Sequence, residues 1–170
     1  IVNCCHPNAL MTLKEYLEDY ASPETRRDGE ALIQRELQKI PNPVVRQKAA
    51  EYAERWYNKR NSAYYNFDGV GGDCTNFASQ CLFAGAGVMN YRRDVGWYYI
   101  SPNDRAAAWS ASPYLIKFLL NNNEEGPFGE LRELNRLEIG DLIFLNNSVE
   151  YYHTLVVTGF SGGAPLVTAH

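Results

Sequence analysis

The spacing of apolar residues changes from a helical period to a strand period along this chain, and that change limits the folds it can adopt. In the first third, apolar side chains recur at steps of three and four, most clearly over residues 45–56. The last third holds short segments rich in branched and aromatic residues, at 141–145, 153–160 and 166–170, separated by asparagine or glycine turns. Helices followed by strands predict an α+β domain with an antiparallel sheet.

Three helices are predicted in the first third of the chain. The apolar stripes that indicate them lie at 13–20, 33–40 and 45–56, with a capping signal "SPET" at 22–25 and a break "PNP" at 41–43. After the glycine-rich segment, Phe77, Ala78 and Cys81 continue from Cys74 at steps of three and four. A fourth helix is therefore predicted, well buried, with Cys74 in its first turn.

The middle of the chain shows weak periodicity. Residues 88–113 are predicted to be loops with one short element, and "SPYLIKFLL" at 112–120 is predicted to be a short helix. The polar stretch at 121–130 is typical of a surface loop.

Length and composition exclude several classes of protein. A chain of 170 residues with 45% hydrophobic content can bury one sizeable core. The formal charge of -4 and a pI near 5.4 argue against a strongly basic nucleic-acid surface, so no nucleic-acid partner is expected. No uninterrupted apolar run approaches the roughly 18 residues that a membrane span needs, so a soluble domain is expected.

The four cysteines are too few for a disulfide-built scaffold. Cys4 and Cys5 are adjacent and cannot easily be bridged to each other, and Cys74 and Cys81 are expected to be free thiols. The "CCH" at 4–6 lacks the two-residue spacer of zinc pairs and has no matching second half. Neither a metal nor another cofactor is therefore expected.

Cys74 follows a glycine-rich turn and opens the predicted fourth helix. The first turn of a helix presents unpaired N–H groups and the positive end of the helix dipole, which favour a thiolate and can stabilise an oxyanion. Cys74 is therefore a candidate nucleophile. Asp73 is predicted to be the N-cap and is kept as a candidate substrate-binding residue. The preceding glycines favour backbone freedom over phosphate binding, because no "GK[ST]" follows them.

A thiolate nucleophile needs a group that takes and returns its proton, and His153 and His170 are the candidates outside the N-terminal segment. If the strand face of His153 packs on the helix of Cys74, its imidazole points toward the thiol. A two-residue turn at 161–162 would place His170 opposite His153, whereas a turn at 162–163 would place it diagonal to His153. Both registers keep the two histidines on one face, so His170 is predicted to orient His153.

Several blocks of this sequence resemble one known family. "GGDCTNFASQCLFAG", with "RQKAAEYAERWYNKRNSAYYNF" ahead of it and "GDLIFL" and "HTLVVTG" behind it, is similar to the amidase domain of the Amidase_6 type, over roughly residues 46–170. That family looks like a distant relative of the NlpC/P60 and CHAP cell-wall hydrolases. The resemblance implies a papain-like fold, Cys74 as nucleophile, His153 as its histidine and His170 as the third, orienting residue. Residues 1–45 lie outside the resemblance and are expected to form a helical lead segment.

The resemblance also implies a reaction. The expected activity is hydrolysis of an amide bond in peptidoglycan or wall-derived peptides through a thioester, without metal or cofactor, in an extracytoplasmic or wall-associated setting. Trp97 and Trp109 are predicted to line the substrate groove, with buried packing as the alternative for each. Two other functions stay open: a cysteine peptidase, deamidase or acyltransferase acting on proteins, and a non-catalytic binding module. Intact Cys74 and His153 argue against the binding module.

Overall fold

The computed structural model of the chain describes residues 44–170 and the backbone of residues 2–3. The first two predicted helices, the capping signal at 22–25 and the "CCH" segment lie outside the described residues. The elements in chain order are β1 (Val2–Asn3), α1 (Arg46–Trp56), α2 (Cys74–Ala86), β2 (Tyr99–Ser101), β3 (Asp104–Arg105), α3 (Ala107–Ser110), α4 (Ser112–Asn121), β4 (Glu130–Leu131), a 3₁₀ turn (Leu134–Arg136), β5 (Leu142–Asn146), β6 (Tyr151–Ser161) and β7 (Ala164–Thr168).

The main sheet has the strand order β4-β1-β5-β6-β7, and every neighbouring pair is antiparallel. This arrangement confirms the α+β class and the three strands predicted in the last third. The short strands β1 and β4 were not predicted. The middle of the chain is also more regular than predicted, because β2 and β3 form a separate hairpin and α3 follows it directly.

The central helix is α2, which packs against α1 on one side and β6 on another. Most of its residues are buried, and it ends at Gly87, which has a left-handed conformation with φ 74° and whose N–H donates to the Phe83 carbonyl at 2.8 Å. Gly85 lets the start of α1 approach closely, because a Cβ there would lie 2.4 Å from the Val44 side chain. The predicted start and burial of this helix are confirmed.

Helix α1 is fixed to the sheet by a charged pair. Arg46 in its first turn forms an ion pair and hydrogen bond with Asp141, the fully buried residue just before β5. Burial raises the pKa of Asp141, and the Glu138 N–H and the Arg46 guanidinium oppose that shift.

In the described part of the chain, no helix has the length and apolarity that crossing a bilayer requires.

The hairpin of β6 and β7 closes at the second of the two predicted turns. Ser161 pairs with Ala164, so Gly162 and Gly163 form the turn. An irregularity between Val157 and Gly159 then shifts the register. Since β7 ends at Thr168, neither predicted register extends to the histidines.

Candidate active site around Cys74

Cys74 is the first residue of α2 and is 8% exposed. Asp73 occupies the N-cap position, but its side chain does not cap the helix. The first-turn amides of Cys74, Thr75 and Asn76 therefore have no hydrogen-bond acceptor within residues 44–170. The two features that the sequence predicted here, free N–H groups and the positive end of the helix dipole, are present at the start of α2.

The thiol lies at the wall of a cavity of about 440 Å³. The wall also includes Gly71, Gly72, Arg105, Glu150 and Tyr152. The two glycines have φ angles of +96° and +103°, which side chains other than glycine rarely adopt, and a Cβ on either would meet no atom within 4 Å. The glycine-rich turn thus leaves open space beside the sulfur.

Three buried hydroxyl groups join the elements next to Cys74. Thr75 Oγ1 lies 2.7 Å from Ser112 Oγ and 3.3 Å from Thr154 Oγ1, and Ser112 Oγ lies 2.8 Å from Thr154 Oγ1. They connect α2, α4 and β6, and Cys74 Sγ lies 3.8 Å from Thr75 Oγ1. The sequence analysis missed this cluster. The sequence held one indication of it: Thr75 lies on a helix that was predicted to be buried, and a buried hydroxyl requires a hydrogen-bond partner.

Asp73 is 1% exposed, and its carboxylate has three hydrogen-bond partners and one ion-pair partner. The Phe67 N–H and Asn76 Nδ2 donate to Oδ1 at 2.9 and 2.8 Å, and His170 Nδ1 and Arg60 Nε lie 3.0 and 3.2 Å from Oδ2. Burial alone would raise the pKa of Asp73, but the bonds from His170, Phe67 and Asn76 and the charge of Arg60 lower it overall.

These contacts correct the predicted roles of Asp73. Its carboxylate is buried and fully occupied, and it is not part of the cavity wall, so the prediction that it binds substrate is wrong. Its position as N-cap residue is confirmed, although the side chain bonds to the preceding turn and to His170 instead of capping.

His170 is buried against residues of α1 and the start of α2. Its side chain is 1% exposed, its ring stacks on Phe77 with centroids 3.8 Å apart, and Nε2 lies 2.9 Å from the Trp56 carbonyl oxygen. Nδ1 faces the Asp73 carboxylate, so both ring nitrogens face acceptors. A neutral imidazole has one N–H, and only the doubly protonated ring donates to both. No ring nitrogen is left for His153, and the prediction that His170 orients His153 is wrong.

His153 lies on the face of β6 that points away from Cys74. Leu145 pairs with His153 and Asn146 with Tyr151, so Tyr152 is an extra residue in a bulge. The next residue, Thr154, reaches Thr75 on α2, and neighbouring strand residues point to opposite faces. The prediction that the imidazole faces the thiol is therefore wrong for this structure. The catalytic role of His153 stays a prediction.

Trp97 and Trp109 are core residues. Both are 0% exposed, their ring centroids lie 4.9 Å apart, and their Nε1–H groups donate to Ser79 and Asn76 at 3.0 and 2.8 Å. The prediction that they line the substrate groove is wrong, and the alternative of buried packing is confirmed. These bonds also explain why polar residues occur on the buried face of α2.

The second thiol of α2 has a different environment. Cys81 is 0% exposed, and burial raises its pKa well above the ordinary value.

Within residues 44–170, no group of three or more His, Cys, Asp or Glu side chains lies close enough together to hold a metal ion.

Comparison with known proteins shows the family of this chain. A family model described as "Putative amidase domain" (Amidase_6) matches residues 44–170. The chain is also 35% identical, over 130 residues, to "Uncharacterized protein YhbB" of Bacillus subtilis (strain 168). That alignment covers 71% of this chain and 39% of the relative, so the chain spans less than half of that protein. No solved structure matches the chain. Because the family match includes all of residues 44–170, the chain belongs to the amidase domain family.

Proposed function

We propose that this chain is a cysteine-dependent amide hydrolase in which Cys74 is the nucleophile. Membership of the amidase domain family supports the hydrolysis of amide bonds. The observation that carries the cysteine mechanism is the position of Cys74 at the first turn of α2, beside a cavity of about 440 Å³. No other described thiol has this setting, since Cys81 is sealed in the core.

The proposed reaction has two halves. The Cys74 thiolate attacks the amide carbonyl carbon, and the C=O electron pair moves to oxygen, where the N–H groups of Cys74 and Thr75 stabilise it. Collapse of this intermediate breaks the C–N bond, the amine leaves with a proton, and a thioester remains on Cys74. Water then attacks the thioester, releasing a carboxylic acid and restoring the thiol.

His153 is the proposed proton acceptor. Its support is the resemblance of the "HTLVVTG" segment, which His153 begins, to the segment that holds the histidine of the amidase domain family. Because the imidazole faces away from Cys74 in this structure, the role requires a one-residue shift of the bulge at Tyr152 that turns His153 toward the thiol. Glu150, the carboxylate on the cavity wall, is the alternative acceptor.

The proposed substrate is peptidoglycan or a peptide derived from it. The support is the resemblance of the "GGDCTNFASQ" block to domains distantly related to the papain-like NlpC/P60 and CHAP hydrolases. An extracytoplasmic or wall-associated location belongs to the same proposal. The alternative is a peptidase, deamidase or acyltransferase acting on proteins, which would use the same residues and differ in substrate.

Digestion of purified peptidoglycan, followed by mass spectrometry of the released ends, tests this proposal. The wild type is expected to release new amine and carboxyl ends, and Cys74→Ala is expected to release none. Cys81→Ala is the matched control, because it removes a thiol from the same helix outside the cavity. Release by Cys74→Ala at the wild-type rate would contradict the cysteine mechanism, whereas cleavage of proteins but not peptidoglycan would favour the alternative substrate.

A further inference from the structure

Arg105 places a guanidinium group at the wall of the Cys74 cavity. Its Nε donates to Ser110 Oγ at 2.8 Å, its Nη1 donates to the Pro102 carbonyl oxygen, and Cζ lies 4.4 Å from the centroid of the Phe67 ring. Ser110 and Phe67 belong to the same wall. Because the guanidinium lies between two groups of the wall, its position is fixed by the cavity itself.

The charge of this guanidinium is not neutralised within residues 44–170. Arg46, Arg60, Arg92 and Arg132 each form an ion pair with a carboxylate, but Arg105 forms none in this range. A guanidinium has five N–H donors, and the bonds to Ser110 and Pro102 use two of them. The three donors that remain are on the Nη1 and Nη2 atoms, the pair that can hold a carboxylate with two parallel bonds.

We infer that Arg105 is the specificity-determining residue of this cavity, and that the amide cleaved at Cys74 lies next to a free carboxylate of a peptide substrate. This inference rests on the proposed function, because it names the substrate class of the same site. A partly enclosed cation without a counterion favours an anionic group that brings one.

Glu150 sets a limit on the substrate charge. It also lines the cavity, and no described ion pair joins it to Arg105, so the two charges are separated along the wall. A carboxylate near Arg105 is attracted, whereas a second anionic group near Glu150 is repelled. The cavity therefore suits a peptide segment with one carboxylate near the cleaved amide and a neutral or cationic group at the other side.

The charge preference can be measured on Cys74 itself, with two alkylating reagents that differ in charge. Iodoacetate carries a carboxylate and iodoacetamide is its neutral analogue, and the rate of each at Cys74 can be followed by mass spectrometry. Arg105→Gln is expected to lower the ratio of the iodoacetate rate to the iodoacetamide rate about tenfold, the size of one lost charge-assisted hydrogen bond. Arg105→Lys keeps the charge but lacks the paired N–H donors of the guanidinium, so its rate ratio should lie between those of the wild type and Arg105→Gln.

Arg93→Gln is the matched control, since it makes the same change in net charge at an exposed residue outside the cavity. A rate ratio in Arg105→Gln equal to that of Arg93→Gln overturns the inference. So does an equal fall in both alkylation rates, because that would show an effect on the thiol or the fold instead of on the charge of the reagent.

A second measurement does not depend on thiol reactivity. N-acetylalanine and its uncharged amide can be titrated into the wild type and observed by nuclear magnetic resonance. Tighter binding of the acid, by about tenfold and lost in Arg105→Gln, supports the inference, and equal binding of both compounds overturns it. Failure of both reagents to alkylate Cys74 would instead count against the proposed function, so the two failures are distinguishable.

Discussion

The two cysteines of α2 lie about two turns apart on one helix, yet their surroundings differ in every property that governs thiol chemistry. Cys74 is at the N-terminal end, beside free amides and an open cavity, whereas Cys81 is sealed between α1 and the rest of the core. Burial raises the pKa of Cys81 well above its ordinary value. Position along the helix, and not residue type, therefore separates a candidate nucleophile from a core side chain.

The largest expected effect contrasts Cys74→Ser with Cys81→Ser. Replacing the nucleophilic sulfur by a hydroxyl of far higher pKa should reduce amide hydrolysis by at least about three orders of magnitude while cooperative unfolding is retained. Cys81→Ser buries a hydroxyl in an apolar site and should cost about 1–3 kcal/mol of unfolding free energy with hydrolysis kept. Turnover rates and urea unfolding of both variants measure the contrast. Equal losses of activity would remove the distinction between the two thiols.

The second prediction concerns the buried pair that holds the N-terminal end of α2. His170→Ala leaves the buried Asp73 carboxylate without one of its hydrogen-bond partners, so unfolding free energy should fall by about 1–3 kcal/mol. His153→Ala changes a partly exposed residue and should cost less than about 1 kcal/mol. If His153 is the proton acceptor, its variant should nevertheless lose about two to four orders of magnitude in turnover.

Urea unfolding and turnover of the same two variants check this prediction. A stable His170→Ala protein would show that the contacts of the imidazole with Asp73 and Trp56 contribute little. Full activity in His153→Ala would remove His153 from the mechanism, and Glu150→Gln is then the variant to compare with it.

Reactivity toward a neutral reagent should separate the two thiols next. Iodoacetamide is expected to alkylate Cys74 at least about a hundredfold faster than Cys81, because Cys81 reacts only when the core opens. Peptide mapping after timed quenching gives both rates from one sample. Equal rates at the two positions would show that α2 opens faster than the reagent attacks, and the difference in environment would then not control reactivity.

The start of α2 and the residues that face it across the site were not equally predictable from sequence. The start of α2 was, because Phe77 and Cys81 continue the apolar period from Cys74 and the glycines before it stop a helix. The burial of Cys81 follows from the same period. Local spacing therefore gives the helix, its first residue and the thiol that lies at its end.

The partners across the site were not predictable in the same way. The turn at Gly162 was found, but the bulges near Tyr152 and after Val157 each shift the register, and tertiary packing sets them. His153 was placed wrongly because Thr154 and Val156, and not His153 and Leu155, occupy the buried face of β6. His170 was placed wrongly because β7 ends at Thr168, before the histidine. Asn76 and Trp109 bond to each other but are far apart in sequence, and no local pattern predicts that hydrogen bond.

The smallest expected effect is a dependence of stability on acid at the Cys74 end of α2. The pKa of Asp73 is lowered in the folded state, so its carboxylate contributes stability that is complete above its unfolded pKa and is lost as pH falls through the folded value. Asp73→Asn removes that contribution. The stability gap between wild type and variant should therefore be largest near pH 7 and shrink as pH falls toward pH 3.

Asp68→Asn is the matched control for this effect, because Asp68 pairs with the same Arg60 at 2.7 Å from a half-exposed position. Its substitution should change the pH dependence little, as surface pairs are worth less than about 1 kcal/mol. Urea unfolding of the three proteins between pH 3 and pH 7 makes the comparison. A difference in unfolding free energy between wild type and Asp73→Asn that stays constant with pH would contradict this prediction. It would mean that folding leaves the pKa of Asp73 unchanged, and that the hydrogen bonds from His170, Phe67 and Asn76 do not favour the charged carboxylate.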